Sequence, residues 1–581
     1  MAGTDVLVDG PVVEGEAPAR RVRLPADLGP CLVFLAVAAF FTIELWRDPH
    51  LRGVAANLND QSLAEWFLAW SARVWSGDLA LLTDRMNSPD GVNMMANTNN
   101  LFPGALLAPL TWAFGVPVTY VTLITLNLAG TASAWYLLFA RPLGLDRLAA
   151  TVGGLFCGFA PPMVSHSQAH INLTAWWLVP VIVYCVLRLV RGQTPVRTGV
   201  GLGLAVTAQV FTGEEVLFLT AVTLALLLVA YAALAPRAVL AVARPLAVGL
   251  GVAVASAAPF LARPLWTQFA GPQRGWEGLL PPEYFPADVA SYWNFSPLTV
   301  GGWGGAAGRL AGHPAEMNTF FGWPVLLVLV LCAVRLWHHT FVRAAAVAGG
   351  ILFAVSLGPE IVVNGVRTGL TGPYELIRGA PVLEWALPSR FALALVPLMA
   401  AVLALTVHEV LLSGRRRAVL LPVAVFAALV PLYPMPMRTA ARPAVPAFFA
   451  DGRWADCVRP GGVLVPVPLP NPANADSLRW AAAAGAAFGV PEGHYIGPWG
   501  YGTPRRPTSG LLAEVQSTGV APGIGEAHRN QAREDARYWR ASCVVLGPAP
   551  HRAELRLVLD QLYGPGADVA DVRVWRLGSG T

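Results

Sequence analysis

No lysine occurs in the 581 residues, so arginine carries all of the positive side-chain charge. With the abundant alanine, glycine and proline, that absence marks a GC-rich genome and says nothing of function. Charge of either sign is scarce: 13% of residues are charged against 55% hydrophobic, and the mean hydropathy is +0.52. A soluble domain carries about 25% charged residues, so the composition excludes one and indicates a polytopic membrane protein. The net charge of +5 does not imply nucleic-acid binding, because the basic residues are scattered among short loops and form no single face. No C-x-x-C pair or His/Cys cluster has zinc-site spacing, so structural zinc is not expected. Cys31, Cys157, Cys185 and Cys332 fall in apolar runs, where cysteine acts as a small hydrophobe. Cys457 and Cys543 fall in the polar C-terminal region, where an oxidising compartment allows a disulfide that sequence leaves open.

A membrane span needs about 20 mostly apolar residues, and arginines collect in short cytoplasmic loops. Both rules together predict about 11 spans, near 28–46, 118–140, 147–163, 172–190, 197–213, 215–235, 243–262, 319–336, 343–358, 389–413 and 417–434. Arg20, Arg21 and Arg23 precede the first, which reads as an uncleaved span because no small-residue cleavage site follows it. The loops at Arg141/Arg147, Arg188/Arg191/Arg197, Arg237/Arg244, Arg335/His338/His339/Arg343 and Arg415/Arg416/Arg417 then face the cytoplasm. The opposite loops hold Asp60, His166/His170, Glu214/Glu215, Glu283/Asp288/Glu316 and Glu360. Residues 101–115 are apolar but short, and counting them as a span would reverse every later loop. They are expected to form an interfacial or re-entrant helix.

This reading divides the chain into a cytoplasmic tail (1–27), a helical membrane domain (28–434) with a long external loop (47–117), and an extracytoplasmic α/β domain (435–581). Within the last, residues 463–467, 543–546 and 572–577 read as strands, and 477–488 and 526–539 as helices.

Several polar groups stand where chemistry is expected. Asp60 precedes Glu65, Trp66 and Trp70. These tryptophans, with Trp75, suit a helix lying in the headgroup region, and Asp60 itself suits its N-cap. His166 and His170 have the i, i+4 spacing of one helical face and so can bind phosphate when charged or metal when neutral. Glu214 and Glu215 are adjacent carboxylates between apolar stretches. Burying them is costly, so they call for a polar cavity or cations such as Arg263, Arg274 or Arg390. Arginine forks suit phosphate, and Arg390 beside Phe391 suits a lipid phosphate at the interface, with snorkelling as the plain alternative.

Asn87-Ser-Pro-Asp-Gly-Val-Asn93, Gly158-Phe-Ala-Pro-Pro-Met163 with His170-Ile-Asn-Leu173, Gly213-Glu-Glu215 and Pro388-Ser-Arg-Phe391 resemble a group of actinobacterial membrane proteins labelled as glycosyltransferases. The order of first span, long external loop with an acidic residue, helical bundle and soluble domain resembles the GT-C superfamily. The resemblance runs to about residue 391 and weakens beyond. It implies a transferase that moves sugar from a polyprenyl-phosphate carrier in the bilayer to a cell-envelope glycan or lipid acceptor. Asp60 would be the base on the acceptor hydroxyl. His166, His170, Glu214, Glu215, Arg263, Arg274 and Arg390 would bind substrate. A divalent cation (Mg, Mn or Ca) is implied, with Asp60, Glu214 and Glu215 as its candidate ligands. The paired Asp-Asp of that superfamily is Asn59-Asp60 here, which leaves the base and the metal open. The competing reading is a non-catalytic membrane protein or a transporter of lipid-linked intermediates. A transporter calls for glycine-interrupted helices, and Gly153-Gly154 and Gly249-Leu-Gly251 are the candidates.

Overall fold

A computed structural model describes residues 24–78, 80–97, 100–275, 281–302, 306–380, 386–413 and 419–577. Arg20, Arg21, Arg23, Thr98, Asn99 and Arg415 to Arg417 lie outside the described residues. The chain divides into two compact units. One comprises Met1–Glu44, Leu123–Leu261 and Leu280–Met437, and the other Leu45–Thr122, Ala262–Leu279 and Arg438–Thr581. We call them the helical and the mixed unit.

Among the described residues, five helices are long and apolar enough to cross a membrane: Val116–Ala140, Arg147–His166, Glu214–Leu234, Pro236–Ala270 and Pro388–Ser413. The expectation of about 11 spans is therefore corrected. Ala26–Phe41, Val179–Val190, Trp323–Arg335, Thr340–Ser356 and Leu420–Leu432 are apolar but shorter, and 197–213 forms the 16-residue helix Pro195–Val210. Proline and glycine trim them. The run at 172–190 starts as a 3-10 turn, Ile171–Thr174, and becomes α-helical only at Val179. The run at 319–336 starts after Gly322, whose φ is 77°. A helix of 12 residues rises about 18 Å, short of a hydrocarbon core of about 30 Å.

The helices of this unit pack closely where glycine permits. A Cβ on Gly154 would lie 2.7 Å from the Ala132 carbonyl oxygen, and one on Gly158 would lie 2.6 Å from the Ala132 Cβ. Small residues let backbones approach in this way. Gly153-Gly154 lies inside the continuous helix Arg147–Phe159, and Gly249 and Gly251 inside Pro236–Ala270. Neither pair interrupts its helix, so the feature expected of a transporter is not found at those positions.

The mixed unit holds a four-stranded sheet in the order Ala567–Val569, Val572–Arg576, Ala541–Leu546, Val463–Val467. The last two run parallel with Val544 opposite Val465, while Val545 faces Val574 in an antiparallel pair. The expected helix at 526–539 forms as Glu526–Trp539, and that at 477–488 as the shorter Asp476–Ala483. Pro507–Thr518 and Arg552–Tyr563 are further helices. Val465, Leu546, Leu555, Leu559 and Trp575 form the core. Cys457 and Cys543 are joined in a disulfide, with Cα atoms 6.1 Å apart.

The loop after the first helix is built into this same unit. Arg52–Val54 pairs antiparallel with Thr439–Ala441. Residues 101–115 form two short helices, Leu101–Leu106 and Ala108–Phe114, neither long enough to span. The helix Leu58–Ala72 corrects two expectations. Its N-cap is Asn57, whose side chain accepts from the Asp60 backbone N–H, so Asp60 lies in the first turn and is not the cap. Trp66 and Trp70 are buried, so the helix is core and not a headgroup helix; only Trp75, just beyond it, is exposed. Glu65 is the physical reason. It is buried and paired with Arg442 at 2.7 Å and Arg479 at 3.8 Å, which fixes the helix inside.

Candidate functional site

The helical unit gathers five ionisable side chains from four segments. His166 ends the short helix Pro161–His166, and His170 follows one turn later. Their Nδ1 atoms are 3.3 Å apart, so at least one imidazole must hold a proton there if they hydrogen-bond. Glu316 ends the turn Pro314–Glu316 and is buried. Its Oε1 is 3.4 Å from His170 Nδ1, and its Oε2 is 4.0 Å from His166 Nε2. Arg390 donates from Nε to both Glu316 oxygens at 3.2 Å, and its Nη2 also bonds Glu316. Arg390 Nη1 reaches Glu215 Oε2 at 2.6 Å.

Neutral contacts hold this cluster in place. Ser165 donates to the Pro314 carbonyl at 2.8 Å and accepts from the Met317 N–H at 2.8 Å. Gln168 bonds the same carbonyl at 3.0 Å. Asn318 donates to Glu316 Oε2 at 2.9 Å and to Ser389 Oγ at 3.1 Å. Asn318 thereby ties the acidic turn to the segment that carries Arg390. Burial pushes the Glu316 carboxyl up, but Arg390, His166 and His170 outweigh it and hold the group well below the usual carboxylate range.

Counting Glu215, Glu316 and Arg390 as ionised, the cluster carries one net negative charge while the histidines are neutral. In this cluster the buried Glu215 Oε1 has no hydrogen-bond partner. Buried polar atoms are nearly always satisfied, so it marks a place for a further group. One ligand atom each from His166, His170 and Glu316 lies within 4.8 Å of the others, a grouping able to hold a metal ion. Two imidazoles and a carboxylate are a donor set known for zinc and suited to other transition metals, so the residues fit a divalent cation.

Of the residues expected at a site, the structure brings His166, His170, Glu215 and Arg390 together. Glu214 is the neighbour of Glu215 in the first turn of Glu214–Leu234. Arg263 and Arg274 belong to the mixed unit, where Arg274 bonds the Phe269 carbonyl at 3.2 Å. Glu316 and Asn318 were missed as site residues. Glu316 carries no motif beyond standing in a loop predicted to be external, and its role arises only when that loop folds onto Arg390.

Asp60 has its own partners in the mixed unit. His494 Nε2 lies 2.6 Å from Asp60 Oδ1, and Asn57 Nδ2 bonds the other oxygen. His494 is nearly buried, and its Nδ1 has no hydrogen-bond partner. Asn59, in place of a second aspartate, is used structurally: it donates to the Pro472 carbonyl at 3.2 Å and accepts from the Ala475 N–H at 3.1 Å.

This fold, long apolar helices together with a mixed α/β unit, has solved counterparts. It is similar to the arabinofuranosyltransferase AftD from Mycobacteria, with a TM-score of 0.52 and 13% sequence identity over 96% of this chain and 40% of that one. The chain thus spans well under half of AftD. Weaker likenesses are to the Archaeoglobus fulgidus oligosaccharyltransferase (TM-score 0.47, 13% identity, 89% of this chain and 69% of that one) and to ArnT from Cupriavidus metallidurans (0.45, 14%, 94% and 98%). No family model and no curated protein matches the sequence.

Proposed function

We propose that the protein is a membrane glycosyltransferase that moves a sugar from a polyprenyl-phosphate carrier to a cell-envelope glycan or lipid acceptor at the external face. The observation that carries this reading is the half-buried Arg390, held between Glu215 and Glu316 beside two histidines. A fixed guanidinium with neighbouring imidazoles suits a phosphate whose negative charge grows as the glycosidic bond breaks.

In the reaction, the acceptor hydroxyl oxygen bonds to the anomeric carbon while the bond from that carbon to the phosphate oxygen breaks. The electron pair leaves with the polyprenyl phosphate, and the hydroxyl proton goes to a base. Asp60, in the mixed unit, is the base that the sequence resemblance implies, and its hydrogen bonds from His494 and Asn57 hold the carboxylate in one orientation. The helical unit's own contribution is Arg390, whose guanidinium suits the charge that builds on a phosphate. A divalent cation held by His166, His170 and Glu316 would supply further positive charge for that phosphate. The two imidazoles favour zinc over magnesium, calcium and manganese, which suit oxygen donors.

The test is transfer from a radiolabelled polyprenyl-phosphate sugar in proteoliposomes, together with the glycan profile of cells that lack the protein. Arg390→Ala protein present at normal membrane levels is expected to lose transfer. An unchanged glycan profile in the deletion strain, or full transfer by Arg390→Ala, sinks the reading.

A further inference from the structure

The mixed unit contains a cleft of about 360 Å³ lined by Asp90, Glu492, Trp499, Thr503, Arg506 and Tyr538, among others. Small-molecule sites are typically clefts of about 300–1,000 Å³, so this one has room for a ligand of one or two sugar rings. We propose that it is a saccharide-binding site. If the protein is the glycosyltransferase argued above, the bound saccharide is part of its acceptor, and to that extent the inference rests on that reading.

The lining has the chemistry a sugar needs. A pyranose or furanose offers one face of C–H bonds and a rim of hydroxyls. The C–H face packs on an aromatic ring, and the hydroxyls pair with planar carboxylates and guanidinium groups. Trp499 is 72% exposed and presents a large aromatic face to the cleft. Tyr538 is 39% exposed and adds a second ring.

The polar groups are already held in position. The Tyr538 hydroxyl donates to Asp90 Oδ2 at 2.6 Å. The Arg506 guanidinium carbon lies 4.1 Å from the centre of the Tyr538 ring, and Arg506 Nε bonds Asp535 Oδ1 at 2.6 Å. Asn87 Nδ2 bonds the Gly91 carbonyl at 2.8 Å and so fixes the turn bearing Asp90. Ser509 donates to Glu492. Such pre-ordering removes part of the entropic cost of binding. Burial also pushes the Glu492 carboxyl up to about 7, against the opposing hydrogen bond from Ser509, so near neutral pH it both donates and accepts. Arg506 is balanced by Asp535, so the cleft selects no strongly charged ligand. Glu492 stands two residues before His494, the partner of Asp60, on one short stretch of chain.

The test uses the full chain in lipid nanodiscs, with sugar-headed detergents removed. The probes are methyl glycosides and short oligosaccharides of the common hexoses and pentoses, read by tryptophan fluorescence and saturation-transfer NMR. Saturable binding is expected for at least one neutral saccharide, weakened about tenfold or more by Trp499→Ala and less by Trp499→Phe. Trp499 is exposed, so neither change should unfold the protein, and an unaltered melting profile checks this. Arg390→Ala should keep saccharide binding while losing transfer. Binding that depends on Trp499 in a protein without transfer would uphold the cleft and sink the proposed function. Failure of every saccharide to bind, binding unaffected by Trp499→Ala, or selective binding of a peptide acceptor instead would overturn the cleft and leave the transferase reading standing.

Discussion

His494 Nε2 lies 2.6 Å from Asp60 Oδ1 although 434 positions separate the two residues in the chain. The Asp60 side chain is 30% exposed, whereas His494 is nearly buried. The histidine can therefore orient the carboxylate without meeting bulk solvent itself. If Asp60 is the base, Asp60→Asn should reduce transfer by about a hundredfold or more at unchanged protein level. His494→Gln keeps a hydrogen-bonding group of similar reach, so it should retain more transfer than His494→Ala. Unchanged activity in Asp60→Asn removes this residue from the mechanism.

Arg390 is the counter-charge of two carboxylates, the buried Glu316 and the half-buried Glu215. Removing one member of a buried ion pair costs about 3–5 kcal/mol, because the remaining charge is left uncompensated. Arg390→Ala should thus lower the thermal midpoint as well as the transfer rate. Arg390→Lys keeps the charge but not the planar fork that spans both oxygens of Glu316, so it should recover stability more than activity. Equal recovery of both in the lysine variant argues against a phosphate-holding role.

The triad of His166, His170 and Glu316 predicts a stoichiometric metal. Purified protein should contain close to one zinc per chain by mass spectrometry. Chelation should lower transfer, and adding the ion back should restore it. His166→Ala and His170→Ala should each lower the metal content, a result independent of any activity assay. Metal content equal to wild type in both variants would show that the ion sits elsewhere.

Glu492 makes a stability prediction with a definite sign. Burial raises its carboxyl from the ordinary 4.5 to about 7, with Asp535 also raising it and Ser509 and Arg505 opposing. The folded state therefore holds a proton that the unfolded chain releases between pH 4.5 and about 7. Stability contributed by this group is present below pH 4.5, falls as pH rises through that window, and is flat above it. Glu492→Gln should flatten this part of the melting profile and raise the midpoint at pH 8 relative to wild type. A variant that follows the wild-type curve across the window refutes this.

Locally encoded features were legible in the sequence. The strand Val463–Val467 and the helix Glu526–Trp539 form where composition and periodicity placed them. The gathering of His166, His170, Glu215 and Arg390 was only partly legible, because their loops could be assigned to one face but not to one another. Glu316 lay beyond reach, since nothing near His313-Pro-Ala-Glu316 distinguishes it from a solvated loop acid. The tryptophans of Leu58–Ala72 misled because an interfacial helix and a buried one share the same apolar spacing. Only Glu65, satisfied by two arginines far along the chain, tells them apart. The span count was too high because hydropathy averages over prolines and positive-φ glycines that stop a helix early.

The same acid sets a boundary on how the molecule can be dissected. A fragment starting at Arg438 would look attractive for crystallisation, since it carries the whole four-stranded sheet. It would also lose Glu65 and the ribbon partner of Thr439–Ala441, leaving the cationic side chains of Arg442 and Arg479 in a desolvated setting with a raw strand edge beside them. Cutting there yields an aggregation-prone piece, so a workable excised fragment would have to splice in residues 45–122.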